Sequence, residues 1–474
     1  LIELELIGEI TKATAEHPAR FRRGVTAYPR LGDPARSANR EELSALFGIN
    51  GAASARIGSI RQDNSIPATV AIDKLFSRHC AILGTTGAGK SCALAVMLRS
   101  ILARFNQGHV VLLDAHNEYA RCFDNQAKVF NVENLSLPYW MMSFDELVEV
   151  LFPGRNGVDQ EIAILAELIP QARRVSLMST GGGARLLSER RSGDTSALTV
   201  NTPAPYRVSE LLQLIDKALS AVEGGAGAAP YRRLRSRLSA LSNDARYAFM
   251  FSRLSVQDTM PELLADLFRI PVAGSPISII ELGSLPTEVA PVVVSVIARL
   301  AFEFGMWSSA AVPIAVVCED AHRFAPSCQK SGFEPARRAL IQLAKEGRRA
   351  GVGLWVSSQR PTELDPAILT QCNTIFAMRL ANQTDQDALQ AAAPDASTSL
   401  LSVLPSLGPG EAVAVGDGVA LPVRMRFDAL PRNAVPRCET PSFANGWSAD
   451  VADETIVARA VEQWRAQRFI TPEG

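Results

Sequence analysis

The chain has 474 residues, about three times a typical domain length, so two or three domains are expected. Apolar residues make up 47% and charged residues 20%, with 48 basic against 49 acidic side chains and a net charge of -1. That balance suits a globular protein with a large core and excludes one coated in basic charge for nucleic acid, while leaving room for a local basic channel.

Residues 1 to about 70 alternate apolar and polar, as in LIELELIGEI, with Gly and Pro punctuation and a short helical patch near Arg40 to Phe47. Short half-buried strands of a small N-terminal β-barrel are the expected result. The opening residues show no initiating Met, no basic lead and no long apolar segment. No signal peptide is expected there, and a few upstream residues are expected to precede it. No run of 18 uninterrupted apolar residues occurs, so no membrane span is expected.

From residue 79 the style changes to nearly continuous apolar strands: HCAIL, then VVLLD at 110–114, ISIIEL at 277–282, IAVVCE at 314–319, GLWVSS at 353–358 and TIFAMRL at 374–380. Helical stretches separate most of them, which predicts an α/β core over 71–140 and 271–430 with a parallel sheet covered on both faces. Residues 141–270 interrupt the series with helix-like segments, FDELVEVLF, EIAILAELI and VSELLQLIDKALSAV, read as a helical insertion. Within it STGGGARLLSERRSGDTSA, at 179–197, is Gly/Ser-rich and charged and is predicted to be a mobile loop. GGAGAAP at 224–230 is a second break. The extension 431–474 is Pro-rich and then carries an amphipathic helix, ETIVARAVEQWRAQR. Seven dispersed cysteines without a CxxC pair fit reduced thiols in a cytoplasm, and five histidines show no metal-ligand spacing such as HExxH.

GTTGAGKS, residues 84–91, matches GxxxxGK[ST] in full, with an apolar strand before it and an apolar-faced helix after it. Gly84, Thr85, Thr86, Gly87, Ala88 and Gly89 form a loop whose N–H groups point inward at phosphate oxygens, backed by a helix N-terminus. Lys90 places a point charge on the outer phosphates of ATP, and the Ser91 hydroxyl is a Mg2+ ligand. Such a loop needs a carboxylate at a neighbouring strand end for magnesium and another to align the attacking water. IAVVCED supplies both at the carboxyl end of an apolar strand, with Glu319 the candidate for magnesium and Asp320 the candidate for water.

These residues carry a resemblance. GTTGAGKS, LLDAHNEYARCF, VVCEDAHRFAP, AKEGRRAGVGLWVSSQRPTELDPAILTQCNTIFAMRL and NQTDQ, in this order and spacing, are similar to the HerA-type ATPases of the HerA/FtsK superfamily over essentially the whole chain. The resemblance implies a RecA-like core with an N-terminal barrel, assembled as a homohexameric ring that translocates DNA and often works with a partner nuclease. It matches Lys90, Ser91 and Glu319 to the family's phosphate and magnesium residues. Asp320 falls where the family usually has Glu, one carbon longer, so either the backbone sits closer here or hydrolysis is slower. Gln359, a neutral donor and acceptor at a strand end, corresponds to the family's sensor of the γ-phosphate or lytic water. Arg348 and Arg349, which also complement a helix C-terminus, match an arginine finger reaching a neighbouring subunit's nucleotide. Arg78 aligns with a nucleotide-linked arginine. Asp114 and Glu118 sit at the next strand's end, where a role in the magnesium shell and a role in local capping are both open.

A ring motor should line its channel with basic loops. Arg232, Arg233, Arg235 and Arg237 in YRRLRSRL, and the ERRSGD loop, are candidates by charge alone, against the ordinary reading of a solvated helix face. With no recognition-helix motif, sequence-independent and salt-sensitive DNA binding is expected. No metal-acid cluster lies outside the nucleotide site, so cutting would fall to a partner nuclease or other effector. DNA end processing and phage defence both fit. A ring scaffold that activates an effector, and a conjugation or secretion motor, are the alternatives.

Overall fold

The computed structural model describes the chain except residues 1–5, 7, 12–19, 31, 50–52, 180–197, 223–226, 252–256, 329–332, 394–397, 438–442, 449–454 and 467–474. The described strands are β1 (Gly8–Thr11), β2 (Arg20–Arg23), β3 (Ser54–Ile60), β4 (Pro67–Ala71), β5 (Cys80–Leu83), β6 (Val110–Asp114), β7 (Ala127–Phe130), β8 (Ile277–Glu281), β9 (Ile314–Cys318), β10 (Val352–Ser358), β11 (Thr374–Ala377), β12 (Glu411–Gly416) and β13 (Val423–Phe427). All but the first two form one 11-stranded sheet in the order β4-β3-β13-β12-β11-β5-β10-β9-β6-β8-β7.

From β11 to β7 every neighbour is parallel, and from β12 to β4 every neighbour is antiparallel. The parallel strands are apolar on both faces because both faces are covered. Alternate residues go to opposite sides: Ala81, Leu83, Val111 and Leu113 enter one core, while Cys80, Ile82, Val110 and Leu112 enter the other. The helix Lys90–Arg104 lies in the second core, burying Leu94, Met97, Leu98, Ile101 and Leu102. The helices Ala290–Trp307 and Glu334–Glu346 lie in the first, together with helices from the 141–270 segment such as Phe144–Leu151. Ala290–Trp307 is long and apolar enough to cross a membrane by length and composition, but 67% of it is buried inside the fold.

The N-terminal barrel expectation meets a different arrangement. The helix Arg40–Phe47 forms as predicted, and β1 and β2 make a separate two-stranded ribbon. However, β3 and β4 join the main sheet through β13, with Met425 opposite Ile60 and Phe427 opposite Gly58. Both faces of β3 are largely buried, so its free edge gains a partner and a second layer by extending the sheet. Among the described residues no separate barrel closes. The amphipathic helix near the C-terminus is present as Thr455–Ala466, and the predicted mobile loop at 179–197 lies almost wholly outside the described residues.

Candidate functional site

Four adjacent strands, β5, β10, β9 and β6, end at the same edge of the sheet and deliver the loop 84–91, Gln359, the Glu319–Asp320 pair and the Asp114–Tyr119 turn to one place. The phosphate loop is fixed from both sides. The Gly84 N–H donates to the Ser358 carbonyl at 3.2 Å and the Thr85 N–H to the Arg379 carbonyl at 2.9 Å, while the Ala88 carbonyl accepts from the Gly410 N–H at 3.0 Å. A Cβ on Gly84 would come within 2.8 Å of the Met378 Cβ, and Gly89, at φ +100, starts the helix in a conformation that only glycine adopts without strain. Lys90 follows, and its ammonium folds back on the Thr85 carbonyl at 3.3 Å. Burial pulls the Lys90 pKa down, opposed by the negative charges of Asp320, Glu319 and Glu118.

The acids are buried: Asp114, Glu319 and Asp320 are 0%, 4% and 3% exposed. Glu319 accepts from the Tyr119 hydroxyl at 3.0 Å, and Ser91 Oγ stands 3.5 Å from the same oxygen. Its other oxygen, Oε2, is buried with no hydrogen-bond partner among the described residues. Burial first, then the charges of Asp114, Glu118 and Asp320, push the Glu319 carboxyl well above the usual range. Asp114 accepts the backbone N–H groups of His116 at 3.2 Å, Glu118 at 3.1 Å and Tyr119 at 3.0 Å. Burial raises its pKa too, against those bonds and a side-chain bond to Glu319. Two buried carboxyl groups whose pKa values are both raised favour either a proton or a cation between them. The Ser91 hydroxyl, set against Oε1, and a carboxylate whose Oε2 has no partner among the described residues together make a hard oxygen-donor set that suits Mg2+.

Asp320 is set differently. Its backbone is left-handed, φ 44 and ψ 47. Its Oδ2 accepts from His116 Nε2 at 2.9 Å and from Gln359 Nε2 at 3.1 Å. Burial alone would raise this carboxyl, but the His116 bond and the charges of His322, His116 and Lys90 outweigh it and hold the pKa below the ordinary value. The Gln359 carboxamide in turn accepts from the Thr86 hydroxyl, so a continuous chain runs from the phosphate loop through Gln359 and Asp320 to His116. The arrangement holds one neutralisable acid beside Ser91 and one ionised acid beside Lys90.

The remaining expectations fall elsewhere. Arg348 and Arg349 are exposed in the turn Gly347–Ala350 just before β10, at the opposite edge of the sheet. Seven residues of β10 separate them from Gln359, about 23 Å at ~3.3 Å per residue. Arg78 precedes β5 at that same far edge, where it pairs with Asp417 in its own chain. Of the four arginines in the helix Ala228–Ser242, Arg233 pairs with Glu161 at 2.7 Å and Arg235 with Asp216 at 2.5 Å, leaving Arg232 and Arg237 exposed without an ion pair to a described residue. ERRSGD lies outside the described residues. Sequence reasoning did not single out His116 and Tyr119. Their only signal is a position two and five residues past a strand-terminal Asp.

Comparison with known proteins agrees with this geometry. The family model described as the central domain of helicase HerA matches residues 55–301, just over half of the chain. The DNA double-strand break repair helicase HerA of Saccharolobus solfataricus is 28% identical over 409 residues, 84% of this chain and 73% of that protein. Its Pyrococcus furiosus namesake is 26% identical over 436 residues, covering 84% and 73%. A probable helicase of Methanocaldococcus jannaschii is 27% identical over 411 residues, covering 84% and 71%. Among solved structures, VirB4 of Thermoanaerobacter pseudethanolicus superposes with a TM-score of 0.58 at 17% identity, over 81% of this chain and 99% of that one, a likeness of fold. An intact phosphate loop, buried partner acids at adjacent strand ends and this match together place the chain in the HerA helicase family, as an ATPase.

Proposed function

We propose that the protein is an ATP-driven DNA translocase that works as a ring of six copies and serves a partner nuclease or other effector. The observation that carries this reading is the separation of Arg348 and Arg349 from the acids of their own chain by the full length of β10. Those guanidiniums could meet a nucleotide only if a neighbouring copy presented one, which supports a site completed across two chains. Relatives named as DNA double-strand break repair helicases support DNA as the track.

In this reading the loop N–H groups and Lys90 hold the phosphates of ATP, and Ser91 with Glu319 holds Mg2+. Bound there, magnesium neutralises charge on the β- and γ-oxygens. Asp320, kept ionised by His116 and Lys90, accepts the proton of the attacking water, and Gln359 sits between that acid and Thr86, where it senses the γ-phosphate. An arginine from the next copy adds positive charge as the transition state forms, with effects of roughly 10³–10⁵ in rate for known fingers. Arg232 and Arg237 are the proposed phosphate contacts on DNA, binding without sequence preference.

Long duplex DNA should stimulate hydrolysis. Mixing Arg348→Ala/Arg349→Ala subunits with Lys90→Ala subunits should restore part of the turnover that each lacks alone. Intact rings with no DNA stimulation would defeat the translocase. The short Asp320 would then favour a slow ATP-timed scaffold that gathers and activates an effector. Mixed rings without complementation would remove the arginines from catalysis.

A further inference from the structure

Asp320 occupies the position of the water-facing acid with a side chain one methylene shorter than Glu. A short carboxylate on a left-handed residue has little freedom to find its own aim, and its direction depends on what holds it. Both of its hydrogen bonds fall on one oxygen: Oδ2 takes His116 Nε2 at 2.9 Å and Gln359 Nε2 at 3.1 Å. Among the described residues no side chain bonds Oδ1.

The two donors are anchored differently. Gln359 is tied to Thr86 of the phosphate loop. His116 is tied to the frame of the sheet. Its own N–H donates to Asp114 Oδ1, and the following residue, Asn117, turns at φ 58 and accepts the Gly283 N–H at 2.8 Å. A Cβ on Gly283 would lie 3.0 Å from that Asn117 oxygen, so the contact is close-packed. Asp114 thereby fixes the turn that carries the imidazole. The side chain of His116 is nearly half exposed, so its place is not explained by core packing.

We propose that His116 is a positioning residue for Asp320: its Nε2–H holds Oδ2 against the β6 turn so that the short carboxylate presents Oδ1 to the attacking water. This rests on the reading of Asp320 as the water-aligning acid. The histidine supplies from outside the reach and orientation that a longer Glu would carry in its own side chain. The geometry makes a coupled prediction: the need for His116 should disappear when the acid is lengthened.

The test is a double-mutant cycle on the full chain, reading kcat and KM for ATP with magnesium present. His116→Ala should lower kcat by about 10- to 100-fold, the usual worth of a hydrogen bond to a buried charge, with KM within about twofold and an unchanged melting temperature. His116→Gln, which offers an N–H at similar reach, should recover most of that loss. In an Asp320→Glu background, His116→Ala should cost no more than about threefold, because coupled sites are not additive. A His116→Ala enzyme within threefold of wild type, equal losses for Ala and Gln, or the same loss in the Asp320→Glu background would each overturn the proposal. Full turnover by Asp320→Asn would instead overturn the reading of the acid itself, so the two failures are distinguishable.

Discussion

Gln359→Glu changes one nitrogen into one oxygen and almost nothing in volume. In the wild-type chain that nitrogen donates to Asp320 Oδ2 at 3.1 Å, while the carbonyl side accepts from Thr86. The substitution sets two carboxylates face to face at that distance. At an effective dielectric of about 20 they repel by about 5 kcal/mol if both stay charged. The pair avoids this by taking up a proton at neutral pH, and an Asp320 that shares a proton cannot accept one from water. Turnover at pH 7 should fall by about 10²- to 10³-fold, within the range for loss of a general base. The sign of the pH response follows: raising the pH strips the shared proton, so the variant should recover activity from pH 7 towards 9 while wild type does not. Steady-state ATPase assays over that range, with nucleotide binding measured in parallel, provide the check. A variant with near wild-type turnover and an unshifted pH profile would show that the Gln359–Asp320 contact plays no part in hydrolysis.

Lys90→Ala should abolish hydrolysis while leaving the fold intact, since the ammonium's hydrogen bond among the described residues is to the Thr85 carbonyl of its own loop; measurable turnover would refute the site. Tyr119→Phe removes the donor to Glu319, whose other oxygen already lacks one, and should destabilise the nucleotide-free protein by about 1–3 kcal/mol. That loss should shrink as pH falls and Glu319 protonates, and an equal loss in thermal melts at every pH would count against the assignment. His79 is buried with its Nδ1 accepting from the Leu354 N–H at 2.9 Å, and burial pushes its pKa down to about 4. Its neutral form is favoured in the fold, so its contribution is intact above pH 6.5 and is lost as pH falls towards 4, about 3 kcal/mol in all. His79→Asn, tolerated at φ 57, should flatten that part of the acid denaturation curve, and parallel curves for the two proteins would exclude His79 as the cause.

Local patterns were the most legible. The phosphate loop announces itself because curling a backbone around phosphate demands glycines at fixed spacing, and the acids after β9 follow a run of five apolar residues that reads as a buried strand. Contacts that depend on which strands become neighbours were not legible. His116 meets Asp320 only because β6 lies beside β9, and nothing within either segment states that adjacency. The pairing of β3 with β13 spans more than 350 residues and turned an expected separate barrel into an extension of the sheet. Charge alone could not tell the four arginines of the helix Ala228–Ser242 apart, and two of them pair with acids of neighbouring helices.

The three N–H bonds to Asp114 bear on the thermodynamics of ligand arrival. Ordering a turn costs roughly 1–2 kcal/mol of backbone entropy per residue. For residues 115–119 that cost is met when the chain folds, because the bonds that hold the turn, to a buried carboxylate and between Asn117 and Gly283, all come from the chain itself. In the proposed mechanism this part of the site is therefore built by folding, and its entropy cost does not weaken the binding of nucleotide.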